Sequence, residues 1–167
     1  MLPPDLLGAA ETTLSACRTA GLTVATAESC TGGLIAAALT AIPGSSDVVE
    51  AGFVTYSDRA KSALLGVPPA LIAGHGAVSA AVAGAMAEGA LSHCQADIAV
   101  AVTGIAGPGG ATPGKPVGLV HFACARRGGA TTTRVETFDG DRAGIRRQAA
   151  LTALALVTRA ASPPPPP

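Results

Sequence analysis

The sequence contains few aromatic residues: tryptophan is absent, tyrosine occurs once and phenylalanine three times among 167 residues. Since 49% of the residues are nevertheless hydrophobic, the core must be built from Ala, Val, Leu and Ile, which suits helices packed closely on a sheet. The chain also has no excess charge, because 11 basic residues balance 11 acidic ones. Without a basic patch or aromatic platforms for bases, we predict no nucleic-acid partner.

Long apolar runs are missing as well. Gly, Ser, Thr or a charge interrupts every candidate before it reaches the ~18 to 20 residues that span a bilayer. The N-terminus has an acidic Asp5 and no basic leader, so we predict no secretory signal and no membrane partner. The four cysteines form neither a CxxC pair nor a zinc-binding cluster with histidine. They are typical of reduced thiols, which predicts a cytoplasmic protein without a metal site.

Strand and helix patterns alternate along the chain, which predicts an α/β fold. The sequence predicts helices over 6–20, 34–41, 59–65, 80–93 and 141–160, and strands over 22–27, 48–56, 97–102, 117–125 and 131–138. A turn rich in Gly and Pro is predicted after residue 65. Because two strands precede the last helix, part of the sheet must be antiparallel. We expect one three-layer α/β/α domain over 1–160, with a mixed sheet flanked by helices, and a disordered proline-rich tail over 161–167.

The turn between the first strand and the second helix carries Ser29, Cys30, Thr31, Gly32 and Gly33. A serine there lies near unpaired N–H groups at the positive end of a helix dipole. Glycines let the backbone approach a substrate, so the N–H groups of Thr31, Gly32 and Gly33 could form an oxyanion hole for a Ser29 nucleophile. Capping the helix is the common alternative role of such a serine, and spacing does not decide between the two.

A serine nucleophile also needs a base. The three histidines occupy a glycine-rich loop, a helix end and a strand, and no GxSxG elbow surrounds Ser29. Lys61, one of two lysines, lies in the first turns of a predicted helix among apolar residues. Burial there would lower its pKa into the range of a general base, whereas the alternative is an exposed surface lysine. Tyr56 precedes that helix and could reach the same site, or lie in the core or at the rim.

Four blocks of sequence resemble the CinA C-terminal family, and the match runs over about 6–157. The blocks are TAESCTGG at 26–33, GFVTYS at 52–57, Lys61 with LLGV at 64–67, and TGIAGPGG at 103–110. The family contains amidohydrolases that convert nicotinamide mononucleotide to nicotinate mononucleotide and ammonia. The resemblance implies that Ser29, Tyr56 and Lys61 are catalytic and that no metal or organic cofactor is needed. It also implies a homodimer or higher homo-oligomer, in the single-domain form that lacks the additional N-terminal domain of many members.

The second glycine-rich block could form a wall of the same site and contact the ribose phosphate of such a substrate. The residues assigned to this contact are Thr103, Gly104, Gly107, Gly109 and Gly110. A plain turn between two strands is the alternative. Gly109 and Gly114-Lys115 match the start of a Walker A pattern, but Pro116 replaces the magnesium-binding Ser or Thr, and a strand follows instead of a helix. An ATP-binding loop is therefore not predicted.

Arg142 and Arg146 lie four residues apart on one face of the last predicted helix, and either could bind the substrate phosphate. We favour Arg142; a solvated helix face is the alternative. Cys30 is a rival nucleophile because thiolates are intrinsically more reactive, although its position in the turn favours a buried small residue. Two other functions stay open at this point: a serine amidase acting on another carboxamide, and a catalytically silent nucleotide-binding or interaction module.

Overall fold

The computed structural model describes residues 1–162. The helices are α1 (Pro4–Ala20), α2 (Leu34–Thr40), α3 (Asp58–Leu65), α4 (Pro69–His75), α5 (Ala80–Ser92) and α6 (Arg142–Ala161). The strands are β1 (Val24–Glu28), β2 (Val49–Val54), β3 (Ile98–Gly104), β4 (Leu119–Arg126) and β5 (Thr132–Thr137), and a 3-10 turn covers Ser45–Asp47. Residues 163–167, most of the predicted proline-rich tail, lie outside the described residues.

The five strands form one sheet in the order β2-β1-β3-β4-β5. Strand β1 is parallel to both of its neighbours, while β4 is antiparallel to β3 and β5. Helices cover both faces of this sheet, so the predicted α/β class with a mixed sheet flanked by helices is confirmed. Within residues 1–162, no helix combines the length and the apolar character needed to cross a membrane.

The two faces of the sheet carry side chains of different size, because neighbouring residues in a strand point to opposite faces. Larger side chains such as Val100, Val102 and Phe122 pack against α1, α2 and α6. The other face is made almost entirely of alanine and packs against α5, with α3 and α4 beside it. Its buried alanines are Ala25, Ala27, Ala99, Ala101, Ala123 and Ala125. This small-residue face lets α5 lie close to the sheet without aromatic side chains between them.

Helix α4 corrects the prediction of a turn after residue 65. The helix starts at Pro69, next to Pro68, and its Ile72 is buried in the cluster around α5. Proline breaks a helix interior but is well tolerated in the first turn, where its missing N–H would have no partner inside the helix. The two prolines that indicated a turn therefore mark the start of a short helix.

Candidate active site

Ser29 directly follows β1 at the carboxyl end of the parallel part of the sheet. Its N–H donates to the Val102 carbonyl on β3 at 2.9 Å. On the other side of β1, the Thr55 N–H donates to the Glu28 carbonyl at 2.8 Å, which extends the pairing with β2 beyond the strand end. The backbone at Ser29 is therefore held from both neighbouring strands.

Lys61 reaches Ser29 from the first turn of α3, a helix that the Ser57 hydroxyl caps by accepting the Ala60 N–H at 3.1 Å. The residue is only 1% exposed, so the alternative of a surface lysine is excluded. Its Nζ lies 3.0 Å from the Ser29 Oγ and 3.0 Å from the Thr55 carbonyl oxygen. A neutral amine has a lone pair as well as N–H groups, so in this position it can donate to Thr55 and accept the Ser29 hydroxyl proton.

The electrostatic surroundings favour this neutral form of Lys61. Burial lowers the pKa of its ammonium group because the charged form loses hydration, and this effect outweighs the opposing influence of Asp58 and Cys30. A lysine with a lowered pKa has a larger fraction of free amine at neutral pH. The pair of Ser29 and Lys61 can therefore act as nucleophile and proton acceptor.

Ser29 does not cap α2, although that was the common alternative for its role. The N-cap residue is Gly33, with a φ of 93° and no side-chain cap. The buried carboxylate of Glu28 provides the cap instead, accepting the N–H groups of Gly33, Ile35 and Ala36 at 3.0, 3.1 and 2.9 Å. The Ser29 hydroxyl is left for Lys61.

These contacts change the predicted oxyanion hole. The Gly33 N–H is taken by the carboxylate just described, and the Gly32 N–H donates to the Ser29 carbonyl at 3.0 Å. The prediction that Gly32 and Gly33 donate to the oxyanion is therefore corrected. Both N–H groups already have acceptors within the protein, so neither is free to bind the substrate oxygen. Within the described part of the chain, the N–H groups of Cys30 and Thr31 donate to no other residue.

A cavity of about 220 Å³ opens beside Ser29. Its lining includes Ser29, Cys30, Tyr56 and Arg142, together with residues of the 104–110 segment. The Tyr56 hydroxyl accepts a hydrogen bond from Arg142 Nη2 at 2.7 Å, and Arg142 Nη1 donates to the Gly107 carbonyl at 2.8 Å. Arg142 therefore bridges two walls of the cavity. Tyr56 is 59% exposed and forms no hydrogen bond with Ser29 or Lys61 among the described residues.

The glycine-rich segment over 104–110 lines the same cavity as Ser29. Its Gly104, Gly107, Gly109 and Gly110 line the cavity. Thr103 does not: it is 1% exposed, and its hydroxyl donates to the Ala77 carbonyl at 2.8 Å. The structure thus gives Thr103 a contact with the loop before α5 and leaves the cavity wall to the glycines.

Cys30 lines the cavity next to the nucleophile but is poorly suited to replace it. The residue is 6% exposed, and burial raises the pKa of its thiol to about 11. The thiol form therefore dominates at neutral pH, whereas the thiolate is the reactive species. Cys30 packs as a small buried residue beside Ser29.

Sequence reasoning missed two side chains that hold the nucleophile turn. The sequence predictions give Glu28 no role, although a carboxylate ending an apolar strand, before a helix with glycine at its N-cap, is the signal that could have identified it. For Arg146, the sequence predicts either a phosphate ligand or a residue on a solvated helix face. The Arg146 Nη2 donates to the Thr31 carbonyl at 2.7 Å, across 115 residues of sequence, and no local pattern indicates that contact.

A larger cavity, of about 580 Å³, lies at the opposite end of the sheet. Arg126, Arg134 and Arg159 line it together with residues such as Cys124 and Leu156. Among the described residues that line it, neither Ser162 nor Cys124 is paired with a base as Ser29 is with Lys61. The pair of Ser29 and Lys61 lies at the smaller cavity, which Ser29 lines.

The family model and the relatives of known sequence point to the same protein family. The family model of the CinA C-terminal domain matches residues 7–161. A CinA-like protein of Akkermansia muciniphila is 57% identical over 134 residues, which cover 80% of this chain and 32% of that protein. A CinA-like protein of Mycobacterium tuberculosis is 54% identical over 142 residues, covering 85% and 33%. The chain thus spans about a third of the length of these relatives.

Solved structures with the same fold cover nearly the whole chain. The competence/damage inducible protein CihA from Agrobacterium tumefaciens superposes with a TM-score of 0.91 at 48% identity, covering 95% of this chain and 97% of that one. A CinA superfamily protein from Escherichia coli gives a TM-score of 0.84 at 37% identity, covering 95% and 94%. These proteins therefore have the same fold as this chain over nearly its whole length, and their sequences are similar to it.

Proposed function

The chain belongs to the CinA C-terminal domain family, and we propose that it is an amidohydrolase that converts nicotinamide mononucleotide to nicotinate mononucleotide and ammonia. Ser29 would be the nucleophile and Lys61 the general base. The observation that carries this proposal is the buried Lys61 Nζ, 3.0 Å from the Ser29 Oγ. A hydroxyl held against an amine of lowered pKa is a recognised form of activated nucleophile. The family resemblance supplies the substrate.

In the first half of the reaction, the neutral Lys61 amine takes the Ser29 proton while Oγ attacks the carboxamide carbon. Negative charge develops on the carboxamide oxygen, and we assign its stabilisation to the N–H groups of Cys30 and Thr31, which have no acceptor within the described residues. When the intermediate collapses, the Lys61 ammonium gives its proton to the departing nitrogen. Ammonia leaves, and the nicotinate mononucleotide is joined to Ser29 as an ester.

In the second half, water enters where ammonia left and gives a proton to Lys61 as its oxygen attacks the ester carbon. The same N–H groups hold the second oxyanion. Collapse breaks the bond to Oγ, and Lys61 returns its proton to Ser29. The enzyme is restored and the carboxylate product is released, so each proton accepted by Lys61 is given back within the cycle.

The size of the cavity suggests how the substrate lies. At about 220 Å³ it is smaller than the ~300 to 1,000 Å³ of pockets that enclose a drug-sized ligand. We propose that it takes the pyridine carboxamide, with the ribose phosphate at the rim beside Arg142. Tyr56 would hold Arg142 there, since their side chains are 2.7 Å apart. Gly104, Gly107, Gly109 and Gly110 would form the facing wall, which Thr103 supports from behind through Ala77.

Ammonia release tests this function. The purified chain is incubated separately with nicotinamide mononucleotide, nicotinamide riboside, nicotinamide and simple aliphatic amides. We expect the mononucleotide to have the highest kcat/KM and Ser29→Ala to remove the activity. Faster release from another carboxamide would favour the serine amidase. Tight binding of the mononucleotide without turnover would favour the silent nucleotide-binding module, and undiminished activity of Ser29→Ala would overturn the assignment of the nucleophile.

A further inference from the structure

We propose that Glu28 is a positioning residue whose buried carboxylate fixes the turn that presents Ser29 to Lys61. The inference rests on the proposed function, because it concerns the same nucleophile. Glu28 is fully buried, an unusual position for a carboxylate. It sits between the end of β1 and the start of α2, and the reacting serine is the next residue along the chain.

The contacts of Glu28 join the strand to the helix across the nucleophile turn. Its backbone carbonyl accepts the Thr55 N–H at 2.8 Å and so belongs to the sheet. Its Oε2 accepts the N–H groups of Gly33 and Ile35, and its Oε1 accepts that of Ala36. One residue thereby fixes both ends of the turn containing Ser29, and the position of Oγ depends on that closure.

Among the described residues, Glu28 is the only side chain that accepts N–H groups from the first turn of α2; the Leu34 N–H donates to the Thr31 carbonyl at 3.2 Å. Helix α2 is seven residues long, and its N-cap glycine provides no side-chain acceptor. A short helix is marginal by itself, and buried N–H groups without acceptors are costly. A carboxylate is well suited to this place because the N-terminus of a helix favours negative charge. Without it, we expect the turn and the first residues of α2 to relax away from their present geometry.

Relaxation of this turn would affect chemistry more than substrate binding. The Ser29 Oγ must stay 3.0 Å from the Lys61 Nζ for proton transfer, whereas Arg142 and the 104–110 segment lie on other elements. A misplacement of about 1 Å in an active site can reduce the rate ~100-fold. We therefore expect kcat to fall while KM stays close to that of the wild type.

Two substitutions separate positioning from simple stabilisation. In Glu28→Gln, the amide oxygen can still accept the Gly33 and Ile35 N–H groups, but its NH2 group faces the Ala36 N–H, so we expect a ~10-fold fall in kcat. Glu28→Ala removes all three acceptors, and we expect a ~100-fold fall. Ser79→Ala is the matched control, because it removes the N-cap of α5, where the hydroxyl accepts the Val82 N–H at 3.3 Å.

The measurements are kcat and KM for ammonia release from nicotinamide mononucleotide, the thermal midpoint of each variant, and the rate at which a fluorophosphonate modifies Ser29. All rates are taken at a temperature where every variant is folded. We expect Glu28→Gln and Glu28→Ala to react more slowly with the probe, in step with kcat, whereas Ser79→Ala loses thermal stability but keeps the wild-type rates. Equal probe rates in the wild type and Glu28→Ala would overturn the inference.

The probe also distinguishes this inference from the proposed function. If the wild type releases no ammonia from the mononucleotide but its Ser29 reacts with the probe, and the Glu28 variants react more slowly, the substrate assignment fails and the positioning role stands. If ammonia is released and the Glu28 variants retain wild-type kcat, only the positioning role fails. If the probe modifies wild-type Ser29 no faster than it modifies any other serine, both are overturned.

Discussion

Two glycine-rich segments contribute residues to the cavity, the turn over 29–33 and the segment over 104–110, and they are held in different ways. The turn over 29–33 is fixed by charged side chains: the Glu28 carboxylate on the α2 N-terminus and the Arg146 guanidinium on the Thr31 carbonyl. The segment over 104–110 lines the cavity mainly with glycine and is tied at its middle by Arg142, from α6. In the proposed mechanism, the turn over 29–33 carries the reaction, while the segment over 104–110 shapes the place where the substrate binds.

Removing the general base should remove most of the catalytic activity that we assign to the turn over 29–33. We expect Lys61→Met to lower kcat by ~100- to 10,000-fold, the range contributed by a general base, with little change in KM. Arg59→Gln, on the exposed surface of the same helix, should keep wild-type kinetics. Steady-state ammonia release from nicotinamide mononucleotide measures both. A Lys61→Met enzyme with near-normal kcat would mean that another group accepts the Ser29 proton.

Two glycines of the segment over 104–110 test its role as a binding wall. At Gly107, φ is 76° and an added Cβ would lie 2.6 Å from a Val117 methyl group, whereas Gly109 has no atom within 4 Å of that position. A left-handed conformation costs a residue with a Cβ roughly 1 to 2 kcal/mol, so we expect Gly107→Ala to raise KM ~10-fold. Gly109→Ala, which adds a Cβ where no protein atom lies within 4 Å, should raise KM less. A fall in kcat alone for Gly107→Ala would contradict the division between the two segments.

Neighbouring arginines on α6 test the anchoring of the nucleophile turn. Arg146 donates to the Thr31 carbonyl at 2.7 Å, whereas Arg147 forms a surface ion pair with Asp5. We expect Arg146→Gln to lower kcat several-fold, because a charge-assisted contact with the turn is lost, and Arg147→Gln to keep wild-type kinetics, since surface pairs contribute ~0 to 1 kcal/mol to stability and none to this site. The kcat and KM of the two variants provide the test. A change confined to KM would instead place Arg146 at the substrate.

The smallest expected effect concerns stability against pH. Because burial lowers the pKa of Lys61 in the folded state, the unfolded chain binds more protons between the lowered and the ordinary pKa. The loss of folding stability caused by burying Lys61 is fully present below the lowered pKa, and it disappears as pH rises through the ordinary lysine pKa. We therefore expect the thermal midpoint of Lys61→Met minus that of the wild type to be larger at neutral pH than at pH ~10.4. A difference that does not vary with pH would contradict a buried neutral amine.

Local patterns predicted the parts of the site that depend on local structure. The strand, the glycine-containing turn and the helix around Ser29 were predicted from local patterns, and so was the helix over 59–65 that carries Lys61. Contacts between distant residues could not be predicted in this way. Arg142 meets Tyr56 across 86 residues, and the Glu28 carboxylate takes the Gly33 N–H that spacing assigned to an oxyanion. Oligomeric state and cytoplasmic location stay predictions.

In the proposed mechanism, Ser29 is the nucleophile and the buried amine of Lys61 activates it. The most direct measurement is the pH dependence of the rate at which a fluorophosphonate modifies the wild type and Lys61→Met, with the modified residue located by peptide mass spectrometry. We predict that the probe modifies Ser29. In the wild type, the rate should rise with pH through one ionisation whose pKa lies below the ordinary lysine pKa. In Lys61→Met, this rise should be absent. Modification at Cys30, or an identical profile in the variant, would contradict the claim.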